Sequence, residues 1–215
     1  MRAITLDGFD AKFAASADPW STFTDHDEAV KRRAILHALG PGPIGRVLEL
    51  AAGNGSNSAA IAPRARRLDA TEATASGIAL VASAIAQEAP RARAMQLAVP
   101  GHFPQPQYDA IVIAELLYYL TPRQMQRTAR DTAAALRGGG TLILAHHRID
   151  FPDFAQRAEG IQTRFLAATG RAWSKRAVRC TSRWIVLSCR LTDARRETAT
   201  PRNHEHRSSS ALLTV

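Results

Sequence analysis

The stretch from Arg46 to Ser58, RVLELAAGNGSNS, constrains the fold more than any other part of the chain. Val47, Leu48 and Leu50 form a short apolar run of the kind buried on both faces of a parallel sheet. The run ends in Ala51-Ala52-Gly53-Asn54-Gly55, small residues that let the backbone turn tightly and come close to a ligand. Ser56 to Pro63 then reads as the opening turns of a helix. Strand, glycine turn and helix N-terminus together make a nucleotide-sized cradle at the carboxyl edge of a sheet. A dinucleotide fingerprint requires a third glycine where Ser58 stands. The pattern present is instead an acid on the strand, Glu49, followed by E-x-A-x-G-x-G spacing through Ala51, Gly53 and Gly55.

A chain of 215 residues is long enough for one α/β domain with a substantial core. No apolar run approaches the ~20 residues that span a bilayer. The N-terminal residues lack the apolar block of a signal peptide. The two cysteines, Cys180 and Cys189, fit no metal spacing. These features together predict a reduced, cytoplasmic protein without a structural metal. The net charge of +9 raises the question of nucleic acid. The arginines, however, are spread over several predicted elements and rarely interleave with aromatics, which favours a solvated basic surface over a nucleic-acid track.

In chain order, residues 1–17 show no period and read as a flexible lead-in. A helix capped by Thr24 or Asp25 follows Asp18-Pro19-Trp20 and ends at Gly40. Trp20 is either a core anchor for that helix or part of a lid. A second strand over 66–72 ends in Glu72, where a carboxylate can accept hydrogen bonds from both hydroxyls of a ribose; Asp69 within it faces solvent or an arginine. A helix over 73–89 and a third strand over 92–99 come next. The proline-rich link 100–107 is too irregular for a helix, so the crossover helix between the third and fourth strands is expected to be absent or vestigial. The nearly all-apolar YDAIVIA, 108–114, must be a central strand ending at Glu115. Thr121 and Pro122 open a helix to about Leu136. Residues 137–140 close it, and 141–145 make a fifth strand. A helix over 150–168 and two β-rich runs, 173–180 and 183–191, complete a doubly wound, mostly parallel seven-stranded α/β sheet with a C-terminal antiparallel hairpin. Residues 193–215 read as a polar, mobile tail, and its His204 and His206 lack a third metal ligand.

Glu49-x-Ala51-x-Gly53-x-Gly55 resembles motif I of the class I S-adenosylmethionine-dependent methyltransferases, with Ala51 in place of the first glycine. Glu72 sits where those enzymes keep their ribose acid. Residues 108–120 and Leu136-Arg137-Gly138-Gly139-Gly140-Thr141-Leu142 are similar to their fourth-strand and L-x-x-G-G-x-L signatures. More narrowly, Asp18-Pro19-Trp20, Glu28 and Ile113-Ala114-Glu115-Leu116-Leu117-Tyr118-Tyr119-Leu120 resemble the nodulation protein S family of N-methyltransferases over residues 17–145. Asp27 departs from the aromatic that family carries before its acid.

The resemblance implies a Rossmann-like fold divided into an N-terminal arm and lid helix (1–40), an S-adenosylmethionine-binding domain (41–192) and the tail (193–215). It implies S-adenosyl-L-methionine as cofactor, held by Trp20, Lys31, Glu49, Ala51, Gly53, Gly55, Glu72, Ala98, Val99 and Glu115. It also implies N-methylation of an amine-bearing small molecule or glycan. Methyl transfer from a sulfonium is one in-line displacement, so positioning, water exclusion and removal of a proton dominate. Glu115 is the first candidate for the acceptor's proton; Tyr118 and His146 are further catalytic candidates. Glu28, Tyr118, Tyr119 and His147 are the candidates for acceptor contacts. The competing readings are an RNA methyltransferase and a non-catalytic nucleotide-binding module.

Overall fold

The computed structural model describes residues 3–192. Helices α1 (Leu6–Ala15) and α2 (His26–Leu39) precede β1 (Ile44–Leu50). Then come α3 (Ser56–Ile61), β2 (Ala65–Glu72), α4 (Ala75–Ala84), β3 (Ala92–Gln96) and β4 (Tyr108–Ala114). The chain continues through α5 (Pro122–Ala135), β5 (Leu136–His147), α6 (Ile161–Ala168), β6 (Trp173–Cys180) and β7 (Trp184–Leu191). The seven strands form one sheet in the order β3-β2-β1-β4-β5-β7-β6. The first five are parallel, and β7 runs antiparallel between β5 and β6.

Side-chain alternation divides the core between the two sheet faces. Val47, Val112, Ile143 and Val186 point to one face, where Ile35 of α2 and Val81 of α4 meet them. Leu48, Leu50, Ile111, Ile113 and Leu142 point to the other, against Met125 and Ala129 of α5 and Phe165 of α6. Strand order reverses between β1 and β4, so their carboxyl ends diverge and leave a crevice where a doubly wound sheet takes its ligand.

The local signals act as their chemistry dictates. The Asp25 carboxylate caps α2 by accepting from the backbone N–H groups of Asp27 and Glu28. Thr121 and Gln124 form a reciprocal capping box ahead of α5, with Pro122 at its first turn. No helix occupies residues 97–107.

Four expectations are corrected. Residues 6–15 are a helix capped by Thr5, not a lead-in, because Phe13 finds burial that the short sequence period does not advertise. The Gly138–Gly140 run is part of β5, which starts at Leu136 and is offset against β4 between Tyr108 and Ala110. Of the helix expected over 150–168 only α6 forms, since Gly160 adopts φ 66° and breaks the run. For Asp69 only the solvent alternative is corrected: it is buried and accepts from the Tyr108 hydroxyl at 3.0 Å, and it has the expected arginine beside it, Arg46 at 3.9 Å. The polar tail and its histidines lie outside the described residues.

Candidate active site

A cavity of about 650 Å³ opens at the carboxyl ends of β1, β2 and β4. At its floor Ala51 and Gly53 turn the backbone through the left-handed region, with φ 54° and 62°. A side chain built on Gly53 would meet only Phe13, at 3.9 Å, so the space above this turn is open. Gly55 is different. It has φ 83°, and an added Cβ would sit 2.7 Å from Ala84, so this glycine lets α3 pack on α4 and does not line the cavity.

Glu49 is also turned away. Its side chain is fully buried on the α3 face and accepts from the Ser58 hydroxyl at 2.5 Å. Burial raises its pKa to about 7 against the pull of Ser58 and Asn57. Contact of the Glu49 side chain with a ligand is therefore corrected to support of the turn from beneath, because the two-residue period of β1 sends this position inward.

Glu72 does reach the cavity from the tip of β2. One carboxylate oxygen accepts from Gly53 N at 3.0 Å and the other from Ala73 N at 2.8 Å. Burial outweighs these bonds and raises its pKa. Ala98 and Val99 form the wall beyond it. Two carboxylate oxygens retain acceptor sites beyond the bonds they already make.

The residues between α1 and α2 roof the cavity. Asn54, in the glycine turn, donates to Asp18 Oδ1 at 2.9 Å and accepts from the Thr22 hydroxyl at 2.9 Å. Asp18 in turn accepts from the backbone N–H groups of Thr22 and Phe23. The Asp-Pro-Trp segment is thereby fastened to the turn. Trp20 meets Phe13 of α1 edge-on at 5.3 Å and lines the cavity, but it is 38% exposed, so it belongs to the roof and not to a core under α2. Ile4 N donates to Asp153 O at 3.1 Å and joins this roof to the loop after β5.

At the opposite end, Glu115 ends β4 with φ 52°, a conformation that a non-glycine residue holds only under strong local constraint. Its Oε1 receives Lys31 Nζ at 2.6 Å; Oε2 receives the Tyr118 hydroxyl and, at 3.3 Å, the backbone N–H of His147. Lys31 also reaches Glu28 at 2.7 Å. Burial opposes its charge, but the two carboxylates prevail and raise its pKa. Tyr118 stacks on Phe154 at 3.7 Å, and Tyr119 meets Phe154 and Phe9 edge-on. Burial and the nearby Asp153 and Glu115 raise the Tyr119 pKa.

His146 is a correction. It is fully buried, its Nε2 accepts from Leu117 N at 3.3 Å and its Nδ1 lies 3.3 Å from the Gln162 amide. Burial, with Lys31 and His147 nearby, lowers its pKa to about 3. A neutral, fully buried imidazole whose Nε2 accepts from the backbone supports the chain after β4 and does not line the cavity. His147, the next residue, points the other way and lines the cavity.

Sequence reasoning missed Phe9, Phe13, Asn54, Phe151 and Phe154. Asn54 stood in view between Gly53 and Gly55, but the partners that give it work are 32 and 36 positions away. Phe9 and Phe13 stand four apart on α1, a spacing too short on its own to mark a helix, and Phe151 and Phe154 lie in the irregular segment between β5 and α6.

The family model described as "Methyltransferase domain" matches residues 47–140. No curated protein matches the chain in sequence. Among solved structures, the N-methyltransferase NodS from Bradyrhizobium japonicum WM9, in complex with S-adenosyl-L-homocysteine, superposes with a TM-score of 0.75. It is 19% identical over 87% of this chain and 98% of NodS. DhpI, in its complex with the same molecule, gives a TM-score of 0.67 at 20% identity, covering 86% of this chain and 94% of its own. The mitomycin 7-O-methyltransferase MmcR gives 0.70 at 14% identity, covering 88% of this chain and 61% of its own. Residues 47–140 thus match a methyltransferase domain, and the chain shares its fold with enzymes solved in complex with S-adenosyl-L-homocysteine. The open turn at Gly53, the accessible carboxylate of Glu72 and the size of the cavity fit that molecule.

Proposed function

We propose that this methyltransferase methylates the nitrogen of an amine-bearing small molecule or amino sugar. The observation that carries the reading is Glu115: a carboxylate held on a strained backbone, facing the cavity, and surrounded by Lys31, Tyr118 and His147. S-adenosylmethionine, when bound, supplies an electrophilic methyl group on a sulfonium. Gly53, Ala51, Glu72, Ala98 and Val99 are the proposed cofactor contacts, with Trp20 in the roof; Lys31 is engaged by Glu28 and Glu115 on the acceptor side.

An amine attacks only when neutral. A carboxylate at Glu115 can first attract the acceptor's ammonium and then take its proton as the nitrogen turns to the methyl group. Tyr118 and Lys31 fix the orientation of that carboxylate, and the aromatic wall of Tyr119, Phe151 and Phe154 excludes water and offers flat faces to a ring. Glu28, Tyr119 and His147 are the proposed acceptor contacts. The acids on the acceptor side favour a cationic acceptor over an anionic one. NodS is an N-methyltransferase by its description, which agrees with this choice of atom.

The test is a panel of amines, amino sugars, alcohols and phosphonates incubated with methyl-labelled cofactor. Transfer to amines alone supports the proposal; transfer confined to hydroxyl or acidic acceptors overturns it.

A further inference from the structure

The charge of this chain is segregated. Residues 3–159 carry sixteen basic and sixteen acidic side chains, whereas 160–192 carry seven basic and no acidic ones. The surplus of the described residues therefore comes from this C-terminal stretch, most of it from the β6–β7 hairpin and the approach to it. Arg171, Lys175, Arg176, Arg179, Arg183 and Arg190 are all exposed there, and none forms an ion pair with a described residue. Asp25, the acid that senses Arg183, makes no ion-pair contact with it.

β6 is also the outer strand of the sheet, bonded among the described residues to β7 alone. Its free side presents backbone N–H and C=O groups, and its Lys175, Arg176 and Arg179 project to both faces of that edge. From this juxtaposition we infer that β6 is a docking edge for an acidic, extended protein segment, which adds to the sheet as an eighth strand.

One or two charges suffice to keep a bare edge from pairing with a copy of itself. Six exposed cations with no acid among them exceed that need, and they make pairing with a second copy of this chain repulsive. Nucleic acid is disfavoured by the lack of a stacking platform: Trp184 is buried, and Trp173 is half-buried with its indole nitrogen bonded to Thr169. A membrane surface is disfavoured because the exposed large apolar residues, Leu6, Trp20, Phe23, Ile149 and Phe151, all lie outside the hairpin. A protein strand uses both features of β6 together, its charge and its open backbone.

The experiment is fluorescence anisotropy on the full chain at physiological salt with a labelled alternating Glu–Val peptide of about twelve residues, long enough to match the strand. The same peptide methylated at alternate backbone nitrogens keeps its charge and loses its ladder donors. Strand addition requires that this analogue bind at least about tenfold more weakly. The triple variant Lys175→Glu, Arg176→Glu, Arg179→Glu should lose at least as much while still binding S-adenosylhomocysteine. Absence of binding by the unmodified peptide overturns the inference, as does equal binding of the methylated one. So does tighter binding of polyuridylate or phosphatidylserine vesicles at matched charge. The peptide comparison uses the unaltered protein, so it decides even if the triple variant fails to fold.

Discussion

Lys31 and Glu115 stand 84 positions apart in the chain and 2.6 Å apart in the fold. The contact ties α2, which lies outside the matched methyltransferase domain, to the tip of its central strand. Lys31 is 2% exposed and is shared with Glu28, so one ammonium sits between two carboxylates that would otherwise repel each other. Glu115 thereby keeps one oxygen on Lys31 and the other on Tyr118 and His147, with its orientation set before any acceptor arrives.

Replacing Glu115 by Gln keeps its shape and removes its capacity to take a proton. The rate should fall by about 10²-fold or more, a general base's usual contribution. Affinity for S-adenosylhomocysteine, read by calorimetry, should stay within about twofold, since the proposed cofactor contacts are elsewhere. Retained activity in a folded Glu115→Gln protein removes this residue from the chemistry.

Lys31→Met keeps most of the buried stem and removes the charge. The side chains of Glu28 and Glu115 are 21% and 28% exposed, so water relieves part of their repulsion. The cost should be about 1–3 kcal/mol, below that of breaking a fully buried pair. The folded pKa of Lys31 lies above the ordinary lysine value of 10.5, so its contribution is complete below that pH and is lost as pH rises through the folded value. Urea midpoints of the wild type should fall on that alkaline limb, and those of Lys31→Met should change less.

Glu49 has the same direction of shift at a lower pH. Between 4.5 and about 7 the unfolded chain has lost this proton and the folded chain has kept it. Stability from Glu49 is therefore full below the lower value and declines as pH rises through about 7. Glu49→Gln can still accept from Ser58 and never ionises. It should be more stable than wild type by about 2 kcal/mol at pH 8 and nearly equal to it at pH 4.5, with midpoints from denaturant titration as the readout.

Alanine at position 51 occupies φ 54°, where glycine suffers no Cβ penalty. Ala51→Gly should raise stability by about 1 kcal/mol, the left-handed cost less glycine's greater chain entropy. An unchanged denaturant slope with a higher midpoint is the expected result, and a lower midpoint refutes the strain argument.

The sheet was legible in the sequence because its strands are short apolar runs punctuated by glycine, proline and acids at their tips. Val47 to Leu50 and Tyr108 to Ala114 left no other reading, and Glu72 and Glu115 marked the ligand edge by position alone. The roof and the division of labour between neighbours were not legible. Whether His146 or His147 faces the cavity depends on which side of β5 each lands, and the Gly138–Gly140 run hides where that strand begins. Asn54 and Lys31 take their meaning from partners brought together only by folding. Phe9 and Phe154 come from distant segments and meet on Tyr119, and Phe151 joins them through Phe154 while staying partly exposed, which periodicity cannot register.

The remaining prediction concerns Glu72 and the ribose of the cofactor. Its two oxygens already accept from Gly53, Ala73 and Thr74, so the carboxylate is oriented before any ligand binds and still has acceptor sites to offer. Glu72→Ala should weaken S-adenosylhomocysteine binding by about 1–3 kcal/mol, the usual loss for a hydrogen bond to a charged group. That loss alone is ambiguous, because the variant also leaves the Gly53 N–H without its partner and could disturb the turn. A double-mutant cycle with the 2′-deoxy analogue separates the two causes. If Glu72 holds the ribose, deleting the hydroxyl should cost the wild type about 1 kcal/mol or more and cost Glu72→Ala almost nothing. If Glu72 only shapes the turn, the deletion should cost both proteins the same, and the assignment of the β2 tip to the ribose is then wrong.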